Sequence, residues 1–161
     1  MNILVNTHPL INEQMEGIGR FTFETLKKIT TEHQEHNFIF LFDRPFNKEF
    51  IFSNNITPII INPPARHPIL WYLRNEILIK SLINSLKVDI FLTPDGYMPL
   101  NMKIKTVQVI HDLYFEYKPQ ALPYFMRKYH KYFSPRFANY ATRIATVSEF
   151  SKKDIIDTYK I

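Results

Sequence analysis

The sequence contains no cysteine, and only three of its 161 residues are glycine. Without cysteine, the chain has no disulfide bond, no thiol nucleophile and no zinc site with Cys ligands. No apolar run approaches the roughly 18 residues that a membrane-spanning helix needs. The opening residues 1–6 lack the charged and long apolar segments of a signal peptide, so we expect them to form a strand. These absences favour a cytoplasmic protein.

Hydrophobic residues make up 45% of the chain and charged residues 22%, a balance typical of a soluble globular protein. The length suits a single domain with a sizeable core. A net charge of +5 indicates an anionic partner such as nucleic acid, a phosphorylated small molecule or an acidic membrane face. Many soluble domains are mildly basic without such a partner, so charge alone does not decide between these classes.

Short apolar runs alternate with helical stretches along the chain, which is typical of a parallel sheet with helices on both faces. The predicted strands cover residues 3–5, 37–42, 56–61, 88–92, 105–110 and 143–147. The predicted helices cover residues 17–33, 69–86, 123–140 and 149–159. We therefore expect a Rossmann-like, doubly wound α/β fold with a mainly parallel sheet, forming one domain over residues 1–161.

Two local features refine the predicted helices. Pro135 is expected to kink or break the third helix, because proline has no backbone N–H and its ring clashes with the preceding turn. The last helix begins near several hydroxyl side chains, and either Thr146 with Glu149 or Ser151 with Asp154 is expected to form its capping box. The proline-rich residues 62–68 indicate a loop between a strand and a helix.

All three glycines lie in predicted loops that follow a strand. Gly17 and Gly19 follow the first strand, and Gly96 follows the fourth. Ligands of open parallel sheets bind at the carboxyl ends of the strands, so both loops are candidate binding elements. Gly17 to Arg20 also opens a helix, whose free N–H groups and positive dipole end favour a phosphate. A plain helix-entry turn is the alternative explanation.

His111 and Asp112 follow the fifth predicted strand and belong to the same edge of the sheet. Asp112 is expected either to cap the next segment or to orient the imidazole of His111. A structural role for a lone histidine stays open. Ser148 lies at the equivalent position after the last strand, where helix capping alone also explains a hydroxyl group.

Residues 125–133 interleave aromatic and basic side chains. Three explanations stay open at this point: stacking on nucleic acid, an amphipathic helix on a membrane, and a core stripe with a solvated basic face.

Taken in order, these motifs resemble the N-terminal domain of family 4 of the retaining glycosyltransferases. The matching segments are residues 1–6, Gly17 to Phe21, the loop from Asp95 to Pro99, residues 109–113 and residues 146–154. The resemblance implies a GT-B fold, in which two Rossmann-like domains face a cleft. The C-terminal domain of such enzymes binds the nucleotide-sugar, and the N-terminal domain mainly binds the acceptor.

The resemblance also implies roles for individual residues. His111 is expected beside the donor sugar as the catalytic residue, and Gly17 and Gly19 beside the diphosphate or the acceptor. Ser148 is expected near the interdomain cleft. The other candidate substrate-binding residues are Arg20, Gly96 and Asp112.

The partners implied are a nucleotide-sugar donor and a saccharide or lipid-linked acceptor, with peripheral contact to the inner face of a membrane if the acceptor is lipid-linked. No cofactor and no nucleic-acid partner are expected. No metal ion is expected either, because no DxD-like pair of acids is placed as a metal site and GT-B enzymes as a group need no metal. The acidic motif and the basic pair of the C-terminal domain are missing from the chain. We therefore expect the isolated chain to be inactive.

Three other functions remain open on sequence grounds. A sugar-nucleotide epimerase shares the GT-B architecture. A Rossmann oxidoreductase is suggested by Asp43, which follows the second strand as a ribose-binding acid would. However, about ten residues separate the first strand from Gly17, and Thr22 replaces the third glycine of the dinucleotide motif. The third alternative, a basic nucleic-acid-binding module, is supported only by the net charge and by residues 125–133.

Overall fold

The computed structural model describes residues 1–10, 15, 17–62, 64 and 67–161. Within these ranges six strands form one sheet, in which every neighbouring pair is parallel. The strands are β1 (Asn2–Asn6), β2 (Asn37–Phe42), β3 (Ile56–Ile60), β4 (Ile90–Thr93), β5 (Lys105–Val109) and β6 (Arg143–Ala145). All six predicted strands are confirmed, with ends that differ by at most two residues.

The strands are ordered β3-β2-β1-β4-β5-β6 across the sheet. The chain therefore moves outward from β1 in one direction, returns past it, and then moves outward in the other direction. The strand order reverses between β1 and β4, which is where a doubly wound sheet opens a crevice at its carboxyl edge. The expected Rossmann-like fold is confirmed.

Helices connect the strands on both faces. The α-helices are α1 (Ile18–Glu32), α2 (Pro68–Leu73), α3 (Lys80–Ser85), α4 (Tyr114–Tyr117), α5 (Tyr124–Tyr140) and α6 (Glu149–Tyr159). A π-helical segment, Arg74–Ile79, joins α2 to α3, and short 3₁₀ turns cover Lys48–Phe50 and Pro119–Ala121. No helix in the described ranges is both long and apolar enough to cross a membrane.

Alternating side chains of the central strands divide the core into two layers. Phe38, Phe40 and Phe42 of β2 face one side of the sheet, where they pack with Leu26 of α1. Ile39 and Leu41 point to the opposite side and pack against the π-helical segment, α3 and α5. This period of two follows from the pleat of a strand. Full burial of each large side chain contributes about 1.5–3 kcal/mol, so both faces of the sheet are strongly covered.

The predicted helices differ from the structure in some details. Helix α5 is not broken at Pro135 but continues through it to Tyr140. The predicted helix over residues 69–86 forms as one continuous helical segment, Pro68–Ser85, whose middle part is π-helical. Neither proposed capping box forms at α6: Ser148 is its N-cap, and its hydroxyl accepts a hydrogen bond from the Ser151 N–H at 3.1 Å. The proline-rich loop of residues 62–68 falls partly outside the described residues.

Candidate functional site

A cavity of about 490 Å³ opens at the carboxyl edge of the sheet, beside the point where the strand order reverses. Its walls come from the residues that follow β1, β4 and β5, from the start of α1, and from α5. The lining residues include His8, Met15, Ile18, Gly19, Asp95, Gly96, Tyr97, Gln108, His111, Asp112, Leu113, Phe115, His130 and Ser134. The fold therefore places this cavity where ligands of doubly wound sheets bind.

The loop after β4 fixes two side chains at the end of β5. His111 donates from Nε2 to the carbonyl oxygen of Pro94 at 2.8 Å, and Gln108 donates from Nε2 to that of Gly96 at 2.8 Å. A carbonyl oxygen can only accept, so this contact defines Nε2 of His111 as a protonated nitrogen. In the neutral imidazole, Nδ1 is then a hydrogen-bond acceptor that has no partner among the described residues. The rings of Phe21 and His111 pack in a T-shaped arrangement with their centroids 4.9 Å apart.

The backbone geometry explains why glycine occupies each of these three positions, as the sequence predicted. Gly96 has a φ of +82°, and a Cβ there would lie 3.3 Å from the carbonyl oxygen of Val109. Gly17 has a φ of +54° at the N-cap of α1. Gly19 has no unusual φ, but a Cβ there would lie 3.2 Å from the carbonyl oxygen of Pro9. Gly19 and Gly96 line the cavity, and because glycine has no side chain, the backbone itself forms the cavity wall at both positions.

A second polar cluster, which the sequence did not predict, lies beside the cavity around His8. The imidazole of His8 lies between two carboxylates, with Nδ1 3.5 Å from Oδ2 of Asp95 and Nε2 3.8 Å from Oδ2 of Asp43. Asp43 is 2% exposed and accepts two hydrogen bonds from Arg44 at 2.7 and 2.8 Å. Burial pushes the pKa of Asp43 upward, but the hydrogen bond from Arg44 and the charge of His8 hold it below its ordinary value.

Asp95 anchors the loop after β4 to the central strand. Its Oδ1 accepts hydrogen bonds from Nδ2 of Asn6 at 3.0 Å and from the hydroxyl of Thr93 at 2.7 Å. Behind it, the buried guanidinium of Arg74 donates to Oδ1 of Asn6 at 3.3 Å. Burial lowers the pKa of Arg74, while the charges of Asp43 and Asp95 oppose that shift. Polar residues that follow three separate strands thus form one connected network.

The wall formed by α5 contributes a histidine held on both sides. Nε2 of His130 lies 3.2 Å from the hydroxyl of Tyr97, and Nδ1 lies 3.1 Å from the hydroxyl of Ser134. The ring of Phe115 lies over the imidazole at 4.5 Å. Burial lowers the pKa of His130, so the neutral imidazole is favoured. Burial and the charge of Asp95 raise the pKa of Tyr97, which keeps its hydroxyl protonated.

The structure does not bring all predicted site residues together. Asp112 lines the cavity, but Oδ1 of its carboxylate accepts from the N–H of Tyr114, the first residue of α4, at 2.9 Å and makes no hydrogen bond to His111 in the described part of the chain. Arg20 lies on the exposed face of α1 in an ion pair with Glu24 and is not part of the cavity lining. Ser148 caps α6 and lines a separate surface groove between β6 and that helix. The described residues contain no cluster of three or more His, Asp or Glu placed to hold a metal ion.

Residues 15–161 match the family model described as Glycosyltransferase Family 4. The chain belongs to glycosyltransferase family 4. The expected family is therefore confirmed, and glycosyl transfer is the reaction class of the family to which this domain belongs. No curated protein matches the chain at a significant level.

A solved structure agrees with the fold. The crystal structure of a glycosyltransferase from Rickettsia africae ESF-5 superposes with a TM-score of 0.53 at 19% sequence identity. The match covers 99% of this family 4 chain but 40% of the Rickettsia chain. This chain thus spans less than half the length of the solved glycosyltransferase that it resembles.

The oxidoreductase alternative finds no support at Asp43. A ribose-binding acid needs a carboxylate open to the ligand, whereas the Asp43 carboxylate is buried and held by Arg44. The sequence did carry a signal for the His8 cluster, because His8, Asp43 and Asp95 each follow a predicted strand within three residues. Only the strand order shows that these three ends are neighbours.

Proposed function

We propose that this chain is the acceptor-side half of a retaining glycosyltransferase, which transfers a sugar from a nucleotide-sugar to a saccharide or lipid-linked acceptor. The observation that carries the proposal is the cavity at the switch point, with His111 anchored by Pro94 on one wall and the N-terminus of α1 at another. A second, donor-binding domain completes the cleft in this proposal, as the partial match to the longer Rickettsia structure suggests.

His111 is the proposed catalytic contact. Because Nε2 is committed to the Pro94 carbonyl, the ring meets the sugar through Nδ1. The packed ring of Phe21 and the Pro94 contact hold the imidazole in one orientation, which is what a positioning group requires. A hydrogen bond at Nδ1 positions the donor sugar and stabilises charge that develops during transfer. His111 is not proposed as a nucleophile.

The leaving nucleoside diphosphate carries negative charge, and the start of α1 is suited to it. Gly17 is the N-cap of α1 and has no side chain that could cover the free N–H groups of the first turn. These N–H groups and the helix dipole stabilise an anion without a metal ion. Gly19 lines the cavity next to this helix end, so the diphosphate lies at the mouth of the cavity in our proposal.

Peripheral contact with a membrane is proposed for the basic aromatic surface, defined as Tyr124, Phe125, Arg127, Lys128 and Lys131 on α5. The rings of Tyr124 and Phe125 are 57% and 64% exposed. The cationic groups of Arg127 and Lys128 both lie 5.6 Å from the centre of the Tyr124 ring. Exposed aromatic rings beside cations are typical of surfaces that bind the interface of an anionic bilayer. Two other residues of α5, Tyr129 and Phe137, are buried and attach the helix to the core.

The decisive test of the function is transfer activity. The longer enzyme that contains this chain is incubated with a panel of UDP-, GDP- and ADP-sugars and candidate acceptors, and the anomeric configuration of the product is determined by NMR. We expect transfer with retention, and no transfer by residues 1–161 alone. Inversion of configuration, or specific transfer by the isolated chain, would overturn the proposal as stated.

A further inference from the structure

The charges that line the cavity differ in sign from the charge of the whole chain. The chain carries a net charge of +5, yet no lysine or arginine is among the described lining residues. The carboxylates of Asp95 and Asp112 line the cavity, as do the imidazoles of His8, His111 and His130.

Three arginines discussed above are engaged in other contacts. Arg20 points to solvent and pairs with Glu24, and its side chain is 64% exposed. Arg44 is paired with Asp43, and Arg74 is buried behind the polar network without lining this cavity. Reaching a ligand in the cavity would require each of these side chains to break its present contacts. The side chains that could carry a positive charge among the described lining residues are histidines, and His8 already lies between the carboxylates of Asp95 and Asp43.

The apolar part of the cavity wall makes the transfer of an unpaired anion from water into the cavity unfavourable. Apolar side chains of Met15, Ile18, Leu113 and Phe115 line the cavity, and they cannot replace the water that an anion loses on entering. The acceptor atoms of the lining residues include Oδ2 of Asp95, which lies 3.5 Å from Nδ1 of His8, and, in the neutral ring, Nδ1 of His111. These atoms bind hydroxyl or ammonium groups, which donate hydrogen bonds, and they repel a carboxylate.

We propose that this cavity selects a neutral or amino-bearing sugar ring and rejects uronic and other acidic sugars, with Asp95 and Asp112 as its specificity-determining residues. The inference rests on the proposed function in that the ligand is taken to be a sugar. Beyond the proposed function, the inference specifies that this sugar is neutral or positively charged. The diphosphate of the donor stays outside the cavity, at the first turn of α1.

A series of rings that differ only at C6 tests the charge preference. Dissociation constants of 6-amino-6-deoxyglucose, glucose and glucuronate are measured on the chain by saturation-transfer NMR titration, and the galacto series is measured in parallel. We expect glucuronate to bind at least about tenfold more weakly than glucose. The ammonium sugar should bind at least as tightly as glucose.

The double variant Asp95→Asn with Asp112→Asn assigns this preference to the two residues. The amide introduced in place of Asp95 keeps an Oδ1 acceptor for Asn6 and Thr93, so the loop after β4 stays anchored. The amide in place of Asp112 keeps an Oδ1 acceptor for the Tyr114 N–H at the start of α4. We expect the glucuronate-to-glucose ratio of dissociation constants to fall severalfold. The matched control is Asp157→Asn, which removes an exposed carboxylate from α6 and should leave the ratio unchanged.

Each outcome either supports or overturns the proposal. It is overturned if glucuronate binds as tightly as glucose, if no sugar of either series binds, or if the double variant keeps the original ratio. Competition with UDP-glucose, measured on the proposed two-domain enzyme after binding of UDP-glucose has been shown, distinguishes the source of the ring. Displacement of glucose indicates the donor sugar, and simultaneous binding indicates the acceptor. Binding is measured without turnover, so the two proposals can fail separately. Efficient transfer of a uronic acid would contradict only this inference. Binding of neutral sugars without any transfer by the enzyme would contradict only the proposed function.

Discussion

The carbonyl oxygen of Pro94 accepts a hydrogen bond from Nε2 of His111 at 2.8 Å, which joins the end of β5 to the loop after β4. Gln108 makes the equivalent bond to the carbonyl oxygen of Gly96 two residues later in the same loop. One short loop therefore sets the orientation of both polar side chains that this end of β5 presents at the cavity. This arrangement makes the role of His111 testable separately from its contribution to stability.

Replacing His111 with alanine in the proposed two-domain enzyme should reduce the transfer rate by roughly 10²-fold or more, because the proposed hydrogen bond to the sugar is lost. The melting temperature should change little, since the ring is only partly buried at the cavity. Both quantities are measured on the same preparation. His111→Phe is the control, since it keeps a ring against Phe21 without the nitrogen atoms, and it should be as inactive as the alanine variant. A rate loss that only follows unfolding would make His111 a structural residue.

Gly96→Ala should destabilise the fold by about 1–3 kcal/mol, because alanine tolerates a φ of +82° poorly and its Cβ meets the Val109 carbonyl. Urea unfolding followed by circular dichroism measures the change. Lys87→Gly is the reverse control: Lys87 has a φ of +50° with an ordinary side chain, so glycine should not destabilise the fold there. A Gly96→Ala variant as stable as the wild type would mean that this loop readily adopts another conformation.

Stability should depend on pH through His130. Its pKa is lowered by burial, so the unfolded chain takes up a proton at a higher pH than the folded chain does. The stabilisation from the neutral ring is therefore complete above the unfolded value of about 6.5 and is lost as the pH falls below it. The free energy of unfolding is measured between pH 8 and pH 5 for the wild type and for His130→Gln. We expect the wild type to lose more stability than the variant, and equal losses would refute the assignment to His130.

Asp43→Asn should destabilise the protein by at least about 1–3 kcal/mol, because it leaves the donors of Arg44 without a charged acceptor. Thermal and urea unfolding measure the loss. Asp157→Asn, an exposed change of the same chemistry, should have almost no effect. If Asp43→Asn were equally harmless, the network around His8 would not contribute to stability.

The basic aromatic surface should contribute to binding of anionic vesicles. Changing Arg127, Lys128 and Lys131 to alanine should weaken co-sedimentation with phosphatidylserine-containing liposomes at low salt, with each cation contributing about 1 kcal/mol. The matched control changes three cations on other helices to alanine: Lys27, Lys28 and Lys152. Equal binding by the wild type and the first variant would leave these residues as a solvated helix face.

Much of the fold could be predicted because its causes are local. The buried strands are short runs of Ile, Val, Leu and Phe, and the scarcity of glycine made Gly17 and Gly96 stand out as positions of special geometry. Other features depend on which of several similar side chains near a helix end takes a given role. Thr146, Ser148 and Ser151 all carry hydroxyl groups, and only the backbone geometry decides that Ser148 caps α6.

The cluster around His8 could not be predicted because it depends on strand order. Asn6 and Asp95 are 89 positions apart in sequence, and they meet because β1 pairs with β4. A run of apolar residues identifies a strand but does not name its neighbours. The π-helical segment was missed for a related reason, since its buried Arg74 and Asn75 do not follow the apolar pattern of a helix.

The strand order also has a consequence for how the protein folds. Strands β1, β2 and β3 come from the first part of the chain and β4, β5 and β6 from the later part, and within the sheet only the pairing of β1 with β4 joins the two. The cavity takes His8 and Gly19 from the first part and Asp95 and His111 from the second. Contacts between residues so distant in sequence are slow to form, because the entropy of closing a long loop opposes them. Sugar binding should therefore appear only after both halves of the sheet have joined, which would make a bound ligand a reporter of the final folding step.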